Sequence, residues 1–236
     1  MTDAEKEQFL AHAQEVRSML NEAAGGRNYT LLAATKTQSA ETINLLPSVG
    51  ILDFGENRVQ EWMEKKEKID KTLRYHQIGR LQCNKIKYII NDVVLIHSVD
   101  SLDLAKEIDK QANKHDRTVD ILLQVNTAGE AQKGGVSPEG LPLLYEDCLR
   151  MEHLRVRGLM CMAPNTPDEA VVHRTFADAY ACFEKLKAGN ALVDTLSMGM
   201  SQDAGIALEE GSTLVRLGTA LFGSRAGYGN TTGIVM

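Results

Sequence analysis

No stretch of the 236-residue sequence approaches the ~20 consecutive apolar residues of a membrane-spanning helix. Cysteine is sparse: Cys83, Cys148, Cys161 and Cys182 form no CxxC pair, and their gaps match no zinc pattern. The amino terminus, Met-Thr-Asp-Ala-Glu-Lys-Glu, lacks both the apolar core of a secretory signal and the arginines of a transit peptide. A cytoplasmic protein with free thiols and no metal is therefore expected, Cys161 and Cys182 being core thiols. The Asn230-Thr231-Thr232 acceptor motif is then a chance match. Positive charge is also lacking. The net charge of −6 argues against nucleic acid as a partner, while leaving room for a local pocket that binds one small phosphate. With only 5 prolines and no linker rich in Pro, Gly or Ser, the chain reads as a single domain over 1–236. Residues 227–236 are expected to form a loose tail.

What is present is an alternation. Thr2-Asp3-Ala4-Glu5 has the form of a capping box, and Phe9, Leu10, Ala13, Val16, Leu20 and Ala23 follow helical spacing up to Gly25-Gly26. Eight short apolar runs follow: Tyr29–Ala34, Gly50–Phe54, Tyr75–Ile78, Val93–His97, Val119–Val125, Val156–Met160, Val193–Met198 and Thr213–Leu217. Most show little polar alternation, as strands of a parallel sheet buried on both faces do. Polar, helix-favouring stretches separate them, among them Arg58–Ile69, Ser101–Lys114, Pro138–Met151 and Asp168–Lys187. Eight strand–helix units predict an α/β fold, a closed (β/α)8 TIM barrel with an extra amino-terminal helix. The alternative is an open doubly wound sheet, but no G-x-G-x-x-G follows the first run.

In such a barrel the functional residues stand at the carboxy-terminal ends of the strands. Those ends read Thr35-Lys36, Gly55-Glu56-Asn57, Gly79-Arg80-Leu81-Gln82, Ser98-Val99-Asp100, Asn126-Thr127, Ala163-Pro164-Asn165, Gly199-Met200-Ser201 and Gly218-Thr219. Lys36 leaves an apolar strand at the mouth, where partial desolvation favours the nucleophilic neutral amine; a lysine snorkelling to solvent is the bland alternative. Ser201, Gly218 and Thr219 follow the seventh and eighth runs, where barrels commonly hold a phosphate on backbone N–H groups and hydroxyls. Arg216 interrupts the eighth run, and a buried arginine needs either a ligand or a carboxylate such as Glu56 or Asp100. His76 and His97 read as hydrogen-bonded core histidines, and Phe54 and Trp62 as packing residues. Gly129–Gly135 reads as a mobile loop over the mouth.

Several stretches, in order along nearly the whole chain, carry a resemblance. They include Ala34-Thr35-Lys36-Thr37, Phe54-Gly55-Glu56-Asn57-Arg58-Val59-Gln60-Glu61 and His76-Gln77-Ile78-Gly79-Arg80-Leu81-Gln82-Cys83-Asn84-Lys85. Leu196-Ser197-Met198-Gly199-Met200-Ser201-Gln202-Asp203 and Gly211–Arg225 complete the set. The chain resembles the pyridoxal-phosphate homeostasis protein family, single-domain relatives of the alanine racemase N-terminal barrel. The resemblance implies that Lys36 forms a Schiff base with pyridoxal 5′-phosphate and that Ser201, Gly218 and Thr219 hold the phosphate. It places Arg216 against the pyridine nitrogen, with Asn57 and Met200 lining the site. No residue is expected to be catalytic. The second domain that gives two-domain racemases their opposite-face tyrosine is missing, and Tyr228 is a poor replacement. Apo-enzymes that use the cofactor are the implied protein partners, and a monomer is favoured over a dimer. A weak or specialised amino-acid racemase is the alternative. Gln38 departs from the family pattern, where a second lysine is frequent.

Overall fold

The computed structural model describes residues 1–223; the expected tail and Tyr228 lie outside the described residues. The capping box forms as read. Thr2 Oγ1 accepts from Glu5 N–H at 3.3 Å, and the Glu5 carboxylate accepts from Thr2 N–H at 2.6 Å. These bonds open α1 (Asp3–Ala24), which Gly25 closes in a left-handed conformation. Phe9, Ala13, Val16, Leu20 and Ala24 recur every three or four residues and are the buried stripe of this helix.

The eight runs become β1 (Thr30–Ala34), β2 (Asp53–Glu56), β3 (Arg74–Gln77), β4 (Leu95–Val99), β5 (Val119–Gln124), β6 (Leu154–Met160), β7 (Thr195–Ser197) and β8 (Leu214–Leu217). Each pairs in parallel with its sequence neighbour, and β8 pairs with β1, so the sheet closes into a barrel. The register sets Leu32 beside Asp53 on one side and Arg216 on the other, and Ala34 beside Gly55. Strand bounds move from expectation, β2 and β4 at both ends. Gly50, in a left-handed conformation, closes a 3₁₀ turn over Leu46–Val49. Pairing of β2 therefore starts at Asp53 rather than Gly50, and it extends through Glu56 beside Gln77. Likewise β4 starts at Leu95, and Ser98 and Val99 lie within the strand rather than after it.

Between the strands lie α2 (Ala40–Ile43), α3 (Val59–Lys65), α4 (Leu102–Lys114), α5 (Leu141–Leu149), α6 (Glu169–Gly189) and α7 (Ala204–Glu209), and α8 (Thr219–Phe222) follows β8. The helical reading of Arg58–Ile69 splits into α3 and a 3₁₀ turn over Lys66–Lys68. The reading of Pro138–Met151 shortens to α5, with Pro142 in its first turn, where a missing N–H costs nothing. Asp168 caps α6 by accepting from Ala170 N–H at 3.0 Å. After β3 the chain forms only a 3₁₀ segment, Cys83–Tyr88.

One large apolar cluster fills the layer between the sheet and its helices, and a second, of Leu95, Leu122 and Met160, stands apart from it inside the barrel. Trp62 stacks on Tyr75 at 4.3 Å with Phe54 alongside, confirming both as packing residues. α1 packs on α7 and α8, where the Phe9 and Phe222 rings stack at 5.7 Å. Gly158 marks a register shift between β5 and β6. Its φ of 148° is open to few L residues, and a Cβ there would lie 1.8 Å from the Thr195 carbonyl oxygen. All four cysteines are free: Cys148 and Cys161 are buried, Cys182 is only half-buried and Cys83 is exposed.

Candidate functional site

Lys36 stands exposed in the turn after β1, and the residues around it are tightly held. Thr35, fully buried, takes the Gly55 carbonyl through its N–H at 3.0 Å and donates its hydroxyl to Glu56 Oε1 at 2.8 Å. Lys65, reaching in from α3, donates to Glu56 Oε1 at 2.8 Å and to the Thr35 carbonyl at 3.2 Å. On the other side of Lys36, the Thr37 N–H donates to Glu61 Oε2 at 3.0 Å. Thr37 has φ 68°, a left-handed conformation that a β-branched residue rarely takes. The carboxylates of Glu56 and Glu61 thus grip the turn from both sides of Lys36, and the strain is sustained by those bonds. Glu56 is fully buried and its Oε2 has no hydrogen-bond partner. Burial pushes its pKa up to about 6, against the opposing pull of the Lys65 ammonium and the Thr35 hydroxyl.

Asn57, exposed, follows β2. Its backbone lies so close to Gly79 that a Cβ there would stand 2.3 Å from the Asn57 oxygen. Gln77 Nε2 fixes the same corner, donating to the carbonyls of Asn57 and Gly79 at 3.1 Å each.

At the other side of the β1–β8 seam, Ser201 is buried and its Oγ accepts from the backbone N–H groups of Gly218 at 3.3 Å and Ala220 at 3.0 Å. Those N–H groups open α8, and Thr219 beside them is exposed. A Cβ on Gly218 would meet the Ala34 oxygen and Cβ only at 3.5 and 3.7 Å, so no protein atom demands glycine there. Met200 is exposed, and its N–H donates to Asp203 Oδ1. Burial raises the Asp203 pKa, against that hydrogen bond and the Arg216 charge. The structure therefore brings Ser201, Gly218 and Thr219 to one rim and sets Lys36 on the neighbouring strand end.

Arg216 lies beneath this rim, buried. Neither carboxylate considered from the sequence reaches it: Glu56 is engaged by Lys65 and Thr35. Arg216 donates Nη1 to the Ser197 carbonyl at 2.8 Å and to Ser197 Oγ, and Nη2 to the Cys161 carbonyl at 3.1 Å. All three acceptors are neutral. Burial pushes its pKa down to about 10, partly countered by Asp203.

The loop over Gly129–Gly135 is anchored rather than loose. Asn126 and Val136 bond across it, Gln124 Nε2 donates to the Lys133 carbonyl at 2.7 Å, and Lys133 donates to the Ala163 carbonyl. Sequence reasoning gave Thr35, Glu61, Lys65 and Asp203 no role. A threonine or lysine of ordinary polarity carries no signal of its role until the fold brings it to a turn. Glu56 at the end of an apolar run was the one visible sign.

The chain can be set against known proteins. A profile of the alanine racemase N-terminal domain matches residues 9–226. The pyridoxal phosphate homeostasis protein of Aquifex aeolicus is 42% identical over 215 residues, covering 90% of this chain and 94% of its own. PipY of Synechococcus elongatus, solved with PLP bound, is 32% identical with a TM-score of 0.82, covering 91% of this chain and 100% of its own. Alanine racemase of Clostridium difficile shares the fold at 15% identity and a TM-score of 0.74, over 95% of this chain and 57% of the racemase.

Proposed function

Because the chain belongs to the pyridoxal phosphate homeostasis protein family, built on the barrel of the alanine racemase N-terminal domain, we propose that it binds pyridoxal 5′-phosphate at the barrel mouth and holds it within the cell without efficient turnover. When bound, the cofactor supplies an aldehyde that a lysine amine can capture with loss of water. Lys36 offers that amine on a turn locked from both sides. The Ser201 and Thr219 hydroxyls offer donors to the phosphate, and the Gly218 backbone, whose N–H rests on Ser201 Oγ, lines the same rim. Asn57 and Met200 flank the opening between them.

The observation that carries the reading is Arg216. It is a buried guanidinium whose hydrogen bonds all end on neutral oxygens, so a charge and its donors stand ready for an acceptor in the barrel. Gly218 supports it: with no protein atom requiring glycine there, room is kept for a ligand to approach the backbone. A cation facing the ring nitrogen disfavours its protonation, and an unprotonated ring stabilises carbanions poorly. That arrangement suits storage better than racemisation.

Borohydride reduction of the protein mixed with pyridoxal 5′-phosphate, followed by peptide mass mapping, tests the assignment. A phosphopyridoxyl group on Lys36 is the expected result. Equal labelling of many lysines, or none on Lys36, would remove Lys36 as the anchor, and rapid racemisation of an amino acid by the loaded protein would overturn the storage role.

A further inference from the structure

Arg216, which feels the charge of Asp203, also ends a line of buried polar side chains. Ser197 Oγ, which accepts from Arg216 Nη1, stands 3.0 Å from His97 Nδ1. His97 Nε2 stands 2.9 Å from His76 Nδ1, and His76 Nε2 stands 3.0 Å from Asp53 Oδ1. The line crosses the barrel from β8 through β7, β4 and β3 to β2. Every member is buried, His97 and Ser197 completely. Asp53 ends it on β2, at the register level of Arg216 with only β1 between them, where Arg74 pairs with both carboxylate oxygens through Nε and Nη2.

The protons can be placed by elimination. Arg216 has only donors, so Ser197 Oγ accepts from it and has its own O–H to give. An ionised Asp53 only accepts, so His76 carries a proton on Nε2. If both rings are neutral, His76 Nδ1 accepts from His97 Nε2–H, and His97 Nδ1 accepts from Ser197 O–H. Every donor then points the same way, from the cation to the anion, and every proton in the line is used. An imidazolium at His76 would reverse the His97 ring, and Ser197 Oγ would then receive two donors. It would also put a second cation in the barrel interior with Arg216. Burial, with the charge of Arg216, drives the His97 pKa well down, in keeping with a neutral ring. At Asp53 burial is outweighed by the His76 and Arg74 hydrogen bonds, and its pKa falls, in keeping with a carboxylate.

We infer that a one-directional hydrogen-bond relay, from Arg216 through Ser197, His97 and His76 to Asp53, orients the guanidinium toward the ring nitrogen of the bound cofactor. The relay is a property of the chain itself; its orienting role rests on the function proposed above. Aligned bonds polarise one another, so the relay strengthens the hold on Arg216 at its remote end. Ser197, His97 and His76 are positioning residues, none of them in contact with the reacting aldehyde.

The test uses the full chain, free of cofactor and labelled with nitrogen-15 histidine. Long-range proton–nitrogen spectra distinguish protonated from bare ring nitrogens, and His76→Gln and His97→Gln assign the signals. Near neutral pH both rings should be neutral with the proton on Nε2. An imidazolium, or a proton on Nδ1 of either ring, would overturn the relay. Ser197→Ala cuts the line, so the His97 Nδ1 signal should move toward that of a free acceptor. Its dissociation constant for pyridoxal 5′-phosphate should rise about tenfold. Ser197→Thr, which keeps the hydroxyl, should restore both. An unmoved His97 signal in folded Ser197→Ala would overturn the connection to Arg216, and should that variant fail to fold, the wild-type tautomers alone decide. Neutral Nε2–H rings in a protein that binds no pyridoxal 5′-phosphate would overturn the orienting role and leave the relay standing.

Discussion

Glu56 shows how one buried carboxyl group leaves a mark on the whole stability curve. Its folded-state pKa is raised from 4.5 to about 6, so the folded protein favours its neutral form. The contribution to stability is fully present below the unfolded value and is lost as pH rises through that window. Relative to Glu56→Gln, which cannot ionise, the wild type should lose about 1 kcal/mol of unfolding free energy between roughly pH 5 and pH 7. Parallel urea titrations of the two proteins at both pH values check this, and equal slopes with pH would show that Glu56 is ionised at no cost. The same residue marks a limit of sequence reading. Its place after Phe54-Gly55 was visible, but its buried Oε2 and its hold on Thr35 depend on where Lys65 arrives from α3. Arg216 was legible as a buried cation in need of a partner. That the line of neutral groups leads to Asp53, on a different strand, was not, because barrel closure and register alone bring His76 and His97 into line.

At the level of strands and helices, alternation of apolar runs with polar stretches was enough to predict the eight-stranded closed barrel and the leading helix. Bounds moved where a local turn overruled hydrophobicity, as Gly50 does before β2. Gly158 is the clearest single point at which the sheet depends on backbone rather than side chain. An added methyl would overlap the Thr195 carbonyl, and the conformation itself is foreign to alanine. Gly158→Ala should therefore destabilise the barrel by about 3 kcal/mol, through separation of β6 from β7. Its denaturation midpoint should fall with the slope unchanged, whereas an unaltered midpoint would mean that the β6–β7 seam yields readily.

Across the whole molecule, ligand binding and folding are linked, because the candidate pocket draws on β1, β2, β7 and β8 and exists only when the barrel is closed. A ligand at 100 times its dissociation constant adds about 2.7 kcal/mol of stability. For a chain of this size that corresponds to a rise in Tm of roughly 5–10 °C. Differential scanning fluorimetry with and without pyridoxal 5′-phosphate should show such a rise in the wild type and a much smaller one in Lys36→Ala. Because Lys36 is exposed, the variant without ligand should melt close to the wild type. An equal rise in both proteins would place the anchor elsewhere.

The seam between β1 and β8 sets Lys36 beside the Ser201–Gly218 rim, although most of the chain lies between them in sequence. A ribosome makes the lysine early and the rim at the end. Until β8 has left the exit tunnel, the nascent polypeptide holds an amine with no cup around it. On the function proposed above, a stalled or prematurely released copy lacks the assembled site.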